Sequence, residues 1–282
     1  MKEIIIPNEI KNNIIKDYID GNSVLSLSKK YEYSYDKLYS TIVNNGLTIR
    51  GNDYNSKKYY VNSNAFDEID TEEKAYWLGF LYADGCVMDL GNTYKISLAL
   101  ATKDLDHLKL YHKFLQTDYP IHTYLKKYKE NDDRQYSRLA FSDKHMGEQL
   151  IKKGVYVRKT EIITFPEFLD NDMIRHFIRG YVDGDGCITY HRHKINKERL
   201  VFALKICSTK EMLSSFAKYL PSNNKNKIPK LQKRRKSSVN NYSLEYGGNK
   251  QVLNILNYLY KDSTIYLKRK YERYLLLVNL YS

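Results

Sequence analysis

The sequence predicts an α+β protein with two pseudosymmetric halves, each with the element order αββαββα around an antiparallel sheet, and a small all-α domain before them. Two observations predict the halves. An eight-residue pattern occurs twice in the same register, at residues 78–85 and 179–186, and such a repeat marks a duplicated structural unit. The segments downstream also correspond, because residues 101–104 match residues 208–211 at the start of a helix.

The composition indicates the class of partner. The chain has 46 Lys and Arg residues against 33 Asp and Glu residues, a formal net charge of +13. Nucleic acid is the usual partner of so basic a protein, and an anionic membrane surface is the alternative. No apolar run is long enough to span a bilayer, and the N-terminus lacks the features of a signal peptide. The 3 cysteines show neither a disulfide framework nor zinc-ligand spacing, so we expect an intracellular protein with small, buried cysteines.

The all-α domain is predicted over residues 1–46, as three short helices. Ser23 is a suitable N-cap for the second helix, and the third, over 35–44, ends before Gly46, which suits a left-handed cap. Two helices, a tight turn and a third helix resemble a helix-turn-helix module that binds DNA. Lys37 would then lie on the exposed face of the third helix. The alternative is a helical cap or dimerisation element.

Residues 47–65 are polar and aperiodic, which predicts an extended basic linker. Arg50 in this linker would enter a minor groove if the linker lies along DNA; a plain solvated tether is the alternative. The first half then covers residues 66–168 and the second covers residues 169–282.

Apolar periodicity and turn residues predict the elements of each half. In the first half we expect helices over 71–84, 103–116 and 144–153 and strands over 94–101, 121–128 and 135–142. In the second half we expect helices over 172–185, 210–219, 249–260 and 266–280 and strands over 187–194, 199–207, 228–235 and 240–246.

Small residues stand four positions apart in each copy of the repeat, Gly79 with Ala83 and Gly180 with Gly184. Glycine inside a helix costs ~1 kcal/mol relative to alanine, so its presence there needs a reason. Small residues at this spacing leave a flat strip against which another helix backbone can pack. We therefore predict that the two helices face each other across a pseudo-twofold axis.

Two carboxylates lie in the last turns of these helices, those of Asp84 and Asp185. The helix dipole disfavours a negative charge there by ~0.3–1 kcal/mol, and close packing of the helices adds mutual repulsion. A shared divalent cation would remove both penalties. Hard oxygen ligands suit Mg²⁺ (or Mn²⁺), with water and substrate phosphate as its other ligands. Such a metal promotes phosphodiester hydrolysis.

On these residues the chain resembles the LAGLIDADG homing endonucleases, in the single-chain form with two motifs. Residues 77–85 and 178–186 align with the signature, and the resemblance covers about residues 66–282. It implies a saddle of two four-stranded antiparallel sheets that reads the DNA major groove. It also implies a monomer that cuts double-stranded DNA across the minor groove and leaves 3′ overhangs.

The resemblance assigns roles to individual residues. It places the metal on Asp84 and Asp185, together with Gly85 and Gly186, which follow them. The chain departs from the signature at three positions that are not catalytic, which are Trp77, Tyr82 and Arg179.

A lysine near each scissile phosphate is a further feature of the family. The matching segments, residues 157–160 and 267–270, contain Lys159 and Lys270. We predict that these lysines organise water or offset charge in the transition state. The alternative is that they are ordinary phosphate-binding or surface lysines.

Basic residues on the strands are the predicted DNA contacts. The run at 227–236 predicts an exposed hairpin that contacts phosphates or base edges, and residues 126–129 occupy the matching place in the first half. The alternative is a solvated surface. The predicted contacts in the two halves are Lys126, Lys127, Arg138, Arg192, Lys205, Lys230, Lys233, Arg234 and Arg235.

These features predict a site-specific, Mg²⁺-dependent endonuclease of the homing type that acts on double-stranded DNA with a long target site. Two alternatives use the same scaffold: an intron RNA maturase, and a DNA-binding regulator that does not cleave. Such regulators usually lack one or both acids, whereas both are present here. The N-terminal domain would extend the recognised site, and no membrane partner is expected.

Overall fold

The computed structural model describes residues 6–20, 22–49, 59–127, 133–222, 230–234 and 239–281. The chain divides into two compact units, Met1–Tyr60 and Val61–Ser282. Two of the predicted DNA contacts, Arg50 and Arg235, lie outside the described residues.

The first unit is a three-helix domain whose helices lie where the sequence predicts them. Helices α1 (Asn8–Ile19), α2 (Val24–Tyr31) and α3 (Tyr35–Asn44) pack around a small core of their own. The predicted cap is confirmed, because the Ser23 side chain accepts a hydrogen bond from the Ser26 amide. The buried core residues are Ile6, Ile14, Tyr18, Val24, Leu27, Leu38 and Ile42.

The turn between α2 and α3 is tight and held by side chains. Glu32 ends α2 with a φ of 58°, a left-handed conformation that stops the helix. The Ser28 hydroxyl donates a hydrogen bond to the Tyr33 carbonyl oxygen at 2.7 Å, and the Ser34 side chain caps α3 by accepting a backbone N–H. After α3, Gly46 has a φ of 77°, so the predicted left-handed cap is confirmed.

The second unit contains two halves with corresponding elements. Each half begins with a motif helix, α4 (Glu72–Asp84) in the first and α7 (Asn171–Asp185) in the second. In the first half there follow β1 (Gly85–Asp89), β2 (Tyr94–Ala101), α5 (Leu105–Phe114), β3 (His122–Lys127), β4 (Asp133–Ser142) and α6 (Lys144–Lys152). In the second half there follow β5 (Gly186–Arg192), β6 (Leu200–Ser208), α8 (Lys210–Tyr219), β7 (Gln232–Lys233), β8 (Tyr242–Gly247), α9 (Asn249–Tyr260) and α10 (Lys268–Asn279).

Each half forms a four-stranded antiparallel sheet, and this confirms the predicted α+β class. The strand orders are β1-β2-β4-β3 and β5-β6-β8-β7. The registers also correspond, since Gly85 pairs with Leu98 in the first sheet and Gly186 pairs with Ile206 in the second. In both halves the first strand begins directly where the motif helix ends, β1 at Gly85 after α4 and β5 at Gly186 after α7.

The prediction of buried cysteines is wrong for Cys86 and Cys187, which are both exposed. Side chains alternate between the two faces of a strand. In β1 the core side is occupied by Gly85 and Val87, so Cys86 faces solvent. The same alternation at the start of β5 exposes Cys187.

One hydrophobic core extends through both halves of the second unit. Trp77 and Tyr82, which are bulkier than the residues of the signature, are buried in it. The Tyr82 ring packs edge-on against Phe177 of the other half, with 4.9 Å between ring centroids. Within the described residues, no helix combines the length and apolar character needed to cross a membrane.

Candidate active site at the ends of the motif helices

The two motif helices cross with their backbones in contact, as predicted from the glycines. A Cβ atom added to Gly79 would overlap the Phe177 carbonyl oxygen, and one added to Gly180 would overlap the Tyr76 carbonyl oxygen. This reciprocal relationship is the one that a pseudo-twofold axis between the helices requires. Backbone packing therefore brings the two helix ends together, along with the acids on them.

Asp84 and Asp185 end α4 and α7, and both side chains remain exposed, so a cation or a phosphate can reach them. The surrounding protein atoms desolvate Asp84 and, with the charge of Asp185, raise its pKa to about 6. Desolvation also raises the pKa of Asp185. The charges of Lys159 and Lys270 oppose both shifts. A divalent cation between the carboxylates would favour their charged forms and lower both pKa values.

Lys159 lies beside this pair of acids. It begins a short 3₁₀ turn after α6, and its Nζ donates a hydrogen bond to the Gly85 carbonyl oxygen. Burial lowers the pKa of Lys159, and the charges of Asp185 and Asp84 oppose that shift. The side chain is half-buried, so it is held against the end of α4 while part of it remains accessible.

Lys270, in the first turn of α10, lies deeper in the molecule, with only 2% of its surface exposed. Its Nζ donates to three carbonyl oxygens at the end of α7, those of Val182 and Asp183 at 2.6 Å and that of Gly184 at 3.3 Å. Carbonyls in the last turn of a helix lack most of their intrahelical partners, and that of Val182 also accepts the Gly186 amide. Burial lowers the pKa of Lys270 to about 8, against the opposing charge of Asp183.

A buried network around Asp183 holds the segment that precedes Lys270. The Asp183 carboxylate accepts hydrogen bonds from the Tyr76 hydroxyl at 2.8 Å, the Tyr260 hydroxyl at 2.5 Å and the Leu267 amide at 2.7 Å. Burial raises the pKa of Asp183, and these donors and Lys270 oppose the shift. Asp183 was not among the predicted site residues, and its only signal in the sequence is that Tyr82 occupies the equivalent position in the first copy of the repeat.

Arg179, in place of a small residue of the signature, is fully buried. Its guanidinium donates to Glu72 Oε1 at 2.6 Å and to the carbonyl oxygens of Leu259 and Ile265 at 3.0 Å each. A buried charge is costly unless it is paired and hydrogen-bonded. These contacts satisfy Arg179 and join the start of α4 to the end of α9 and to the segment that follows α9.

A cavity of about 170 Å³ opens beside Asp185. Both halves line it: Lys159 comes from the first, and the second supplies Ser208 at the end of β6, Arg234 directly after β7 and Asn241 directly before β8. The charge of Arg234 opposes the rise in the pKa of Asp185, so the guanidinium lies within electrostatic reach of this acid. The cavity is therefore polar and carries positive charge.

Most of the predicted DNA contacts lie on exposed strand surfaces. Arg138 on β4 stacks over the Tyr124 ring, 5.6 Å from its centroid. Lys205 on β6 is half-buried and lies 3.7 Å from Glu245, and Lys37 on α3 is also half-buried. The exposed ones are Lys126, Lys127, Arg138, Arg192, Lys230, Lys233 and Arg234.

The paired motif helices and the two four-stranded sheets define the LAGLIDADG fold in its single-chain form with two halves. The structure of the LAGLIDADG homing endonuclease I-GzeII in complex with a DNA target has this fold, with a TM-score of 0.50 and 9% sequence identity. The match covers 73% of this chain and 89% of that chain.

Two further solved structures are similar at lower TM-scores. The meganuclease I-SmaMI bound to uncleaveable DNA has a TM-score of 0.46 and 13% identity, over 74% of this chain and 90% of that chain. The homing endonuclease I-LtrWI bound to target DNA has a TM-score of 0.44 and 13% identity, over 74% of this chain and 91% of that chain. No protein-family model and no curated protein matches the sequence.

Proposed function

We propose that this chain is a site-specific endonuclease that hydrolyses both strands of double-stranded DNA. The observation that carries the proposal is the pair of exposed carboxylates, Asp84 and Asp185, at the ends of two helices whose backbones touch. Each half adds an antiparallel sheet with exposed Lys and Arg residues. The fold shared with homing endonucleases supports the same assignment.

The two acids fit a divalent cation. Mg²⁺ typically takes one or two carboxylates from the protein and completes its octahedron with water and substrate phosphates. Within the described ranges, no group of three or more His, Cys, Asp or Glu residues is arranged to hold a metal. When bound, Mg²⁺ (or Mn²⁺) would polarise the scissile phosphate and stabilise the leaving oxygen. We propose Asp84 and Asp185 as ligands, with the carbonyl groups of Gly85 and Gly186 beside them.

The two lysines would contribute positive charge. Lys159 is half-buried and lines the cavity beside Asp185, so its ammonium group is suited to offset the charge that develops on a phosphate. We propose Lys270 as its counterpart in the second half, acting on the acids from the buried side of α7.

The basic strand residues would bind the DNA. We propose that the saddle reads the major groove and that cleavage occurs across the minor groove and leaves 3′ overhangs. Because one chain carries both acids, the active unit would be a monomer. Arginine and lysine recognise phosphates and guanine edges, and binding through phosphates weakens steeply as salt concentration rises.

The first unit would extend the recognised site as a helix-turn-helix module. The left-handed Glu32 and the capped start of α3 give the short turn that such modules use. The exposed face of α3 combines the aromatic Tyr35 and Tyr39 with the hydrogen-bonding side chains of Ser40 and Asn44. Apolar groups can contact thymine methyls in a major groove, and asparagine can pair with adenine.

The test is cleavage of a randomised double-stranded DNA library with Mg²⁺ by the wild-type protein and by Asp185→Asn. We expect discrete cut sites with 3′ overhangs for the wild type and none for the variant. Binding without cutting by the wild type would indicate a regulator, and binding of intron RNA in its place would indicate a maturase.

A further inference from the structure

We infer that the two halves of the active site are unequal, so that the DNA strand beside Asp185 is cut before the strand beside Asp84. The inference rests on the proposed nuclease function and adds to it an order of strand cleavage. It comes from the polar cavity beside Asp185 and from the residues that occupy the corresponding positions beside Asp84.

The cavity beside Asp185 is lined by several hydrogen-bonding side chains. Lys159 and Arg234 contribute charged N–H groups. The Tyr181 hydroxyl lies 2.9 Å from Ser208 Oγ and 3.0 Å from the Cys207 carbonyl oxygen, so Ser208 adds a hydroxyl group to the polar lining of the cavity. Asn241 Oδ1 is buried and has no hydrogen-bond partner among the described residues. A cavity of about 170 Å³ can hold several water molecules, each of which needs polar partners such as these.

The strand registers identify the counterparts of these residues in the first half. Gly85 pairs with Leu98 and Gly186 with Ile206, so Leu100, two positions further on, corresponds to Ser208. The predicted match of residues 101–104 with residues 208–211 is therefore wrong by one position on these strands, because the first half inserts a 3₁₀ turn, Thr102–Asp104, before its helix. The neighbouring strands correspond in the same way. In the first half Ser137 pairs with Leu100 on one side and with Thr123 on the other, and in the second half Tyr242 pairs with Ser208 and with Lys233. At the next position along these two strands, Tyr124 corresponds to Arg234 and Tyr136 corresponds to Asn241.

The counterparts have different chemistry. Leu100 replaces a hydroxyl with a buried aliphatic side chain, and Phe80, the counterpart of Tyr181 in the repeat, has no hydroxyl at all. Tyr124 and Tyr136 stack on each other with 6.1 Å between centroids. At the matched positions the first half therefore has two tyrosines, Leu100 and Phe80 where the second half has a guanidinium, an amide and two hydroxyls. The nearby hydroxyls of Thr102, Thr123 and Ser137 hydrogen-bond to one another, and no guanidinium stands among the matched residues.

The two lysines also differ in accessibility, and the more accessible one lies on the side of Asp185. Lys159 makes one hydrogen bond, to the Gly85 carbonyl oxygen, and lines the cavity. Lys270 is 2% exposed and donates to three carbonyl oxygens of α7. Because the ammonium group of Lys270 already donates to carbonyl oxygens at the end of α7, it has fewer N–H groups left to bind a phosphate.

Each cut adds one water molecule to one phosphodiester. The water oxygen forms a bond to phosphorus, the bond from phosphorus to one sugar oxygen breaks, and that oxygen takes a proton and leaves as a hydroxyl. Preorganised donors beside the phosphate lower the barrier, and each is worth on the order of 10²–10³ in rate in other enzymes. We therefore expect one strand to be cut about ten to a hundred times faster than the other, with a nicked intermediate.

The experiment measures strand-specific cleavage of a duplex that contains the selected target and carries a different label on each strand. The wild type should accumulate nicked DNA before linear product. Arg234→Tyr, which introduces the residue of the other half, should slow the faster strand and leave the slower strand unchanged. Tyr124→Arg should speed the slower strand. Lys152→Tyr, a similar change on the exposed surface of α6, is the control and should leave the ratio of the two rates as in the wild type.

The ratio of the two rates in one sample does not depend on how much of the protein is folded. Equal rates for the two strands in the wild type would overturn the inference while leaving the nuclease proposal in place. An Arg234→Tyr variant that slows both strands equally, or only the slower one, would also overturn it. A wild type that cuts neither strand of any DNA would refute the nuclease proposal itself.

Discussion

Gly184 of α7 lies directly against Asp84 of α4. A Cβ atom at Gly184 would overlap the Ala83 side chain and lie 3.3 Å from Asp84 Oδ2. We expect Gly184→Ala to cost about 1–3 kcal/mol of stability through overpacking. It should also lower the cleavage rate by about a hundredfold, because displacements of ~1 Å at a reacting centre have effects of that size.

Urea unfolding and single-turnover cleavage would measure these two effects. Gly247→Ala is the matched control, because Gly247 has open space around its Cβ position and no positive φ. A Gly184→Ala protein that cleaves at the wild-type rate would contradict the close approach of the two helix ends.

The pair formed by Arg179 and Glu72 should contribute strongly to the stability of the second unit. Removal of one partner from a buried ion pair typically costs about 3–5 kcal/mol, and we expect Arg179→Met to fall in this range. Lys152→Met, at an exposed position, should change stability by about 0.5 kcal/mol or less. Chemical denaturation would measure both, and equal midpoints for the two variants would show that the pair contributes nothing.

Glu72 should make this stability dependent on pH. Burial raises the pKa of Glu72, but the Thr264 amide and Arg179 lower it more, so its pKa lies below the ordinary 4.5. The stabilisation is then present above about pH 4.5 and is lost as the pH falls through the folded-state pKa. Glu72→Gln should weaken this loss of stability at acid pH, which thermal unfolding between pH 3 and pH 7 would measure. The same slope in both proteins would contradict the assignment.

Asp84 should lower the stability of the metal-free protein, although the proposed nuclease activity requires this residue. Its pKa is raised from 3.8 to about 6, so the folded state binds more protons than the unfolded state and stability falls as pH rises from about 4 to 6. Above that range we expect Asp84→Asn to unfold at a higher temperature than the wild type, by roughly 2–4 °C for ~1 kcal/mol. Solvent screening at this exposed site limits the effect.

Calorimetry without divalent cations at pH 4 and pH 7 would measure this difference, which should appear only at pH 7. Glu148→Gln, on the exposed face of α6, is the control and should show no such gain. The same Asp84→Asn variant should lose cation binding and double-strand cleavage. Retention of full cleavage would remove Asp84 from the mechanism.

The two lysines should respond differently to the same substitution. Lys270→Met removes one donor from each of the Val182, Asp183 and Gly184 carbonyl oxygens, which we expect to cost about 1–3 kcal/mol. Lys159→Met breaks one hydrogen bond of a half-buried side chain, for about 1 kcal/mol or less, and slows cleavage by roughly a hundredfold. Unfolding and cleavage assays on both variants would show the contrast. A Lys159→Met protein with wild-type cleavage would contradict the role proposed for this lysine.

Helix α3 should read DNA through its exposed face. Tyr39 is 43% exposed in the middle of that face, and loss of a good base contact typically costs ~1–3 kcal/mol. In the Asp185→Asn background, we expect Tyr39→Ala to weaken binding about tenfold and to shorten the footprint at one end. Ile19→Ala, at a 62% exposed position outside α3, should change neither. Identical footprints for the two variants would show that α3 does not contact the target.

Local signals were sufficient to predict much of this structure. The helices of the first unit end where the sequence places them, because caps at Ser23 and Gly46 act within a few residues. The repeat identified the motif helices, their contact through Gly79 and Gly180, and the acids at their ends. In each case the cause lies in neighbouring residues or in the repeat itself.

Contacts between distant residues could not be predicted in this way. Asp183 meets Leu267 and Arg179 meets Glu72 only because the fold brings together positions 84 and 107 residues apart. The exposed Cys86 depends on which face of β1 turns toward the core. The difference between Ser208 and Leu100 becomes visible only when the strand registers are known.

Since Gly79 and Gly180 bring main chain against main chain, the distance between the two helix backbones that carry the acids is set by main-chain contact. In the proposed nuclease the helix crossing therefore fixes the distance between the two cut positions, so the length of the overhang is determined by the backbone. Substitutions on the sheets can then change the preferred target over evolutionary time, or in a redesigned enzyme, while the length of the overhang stays the same.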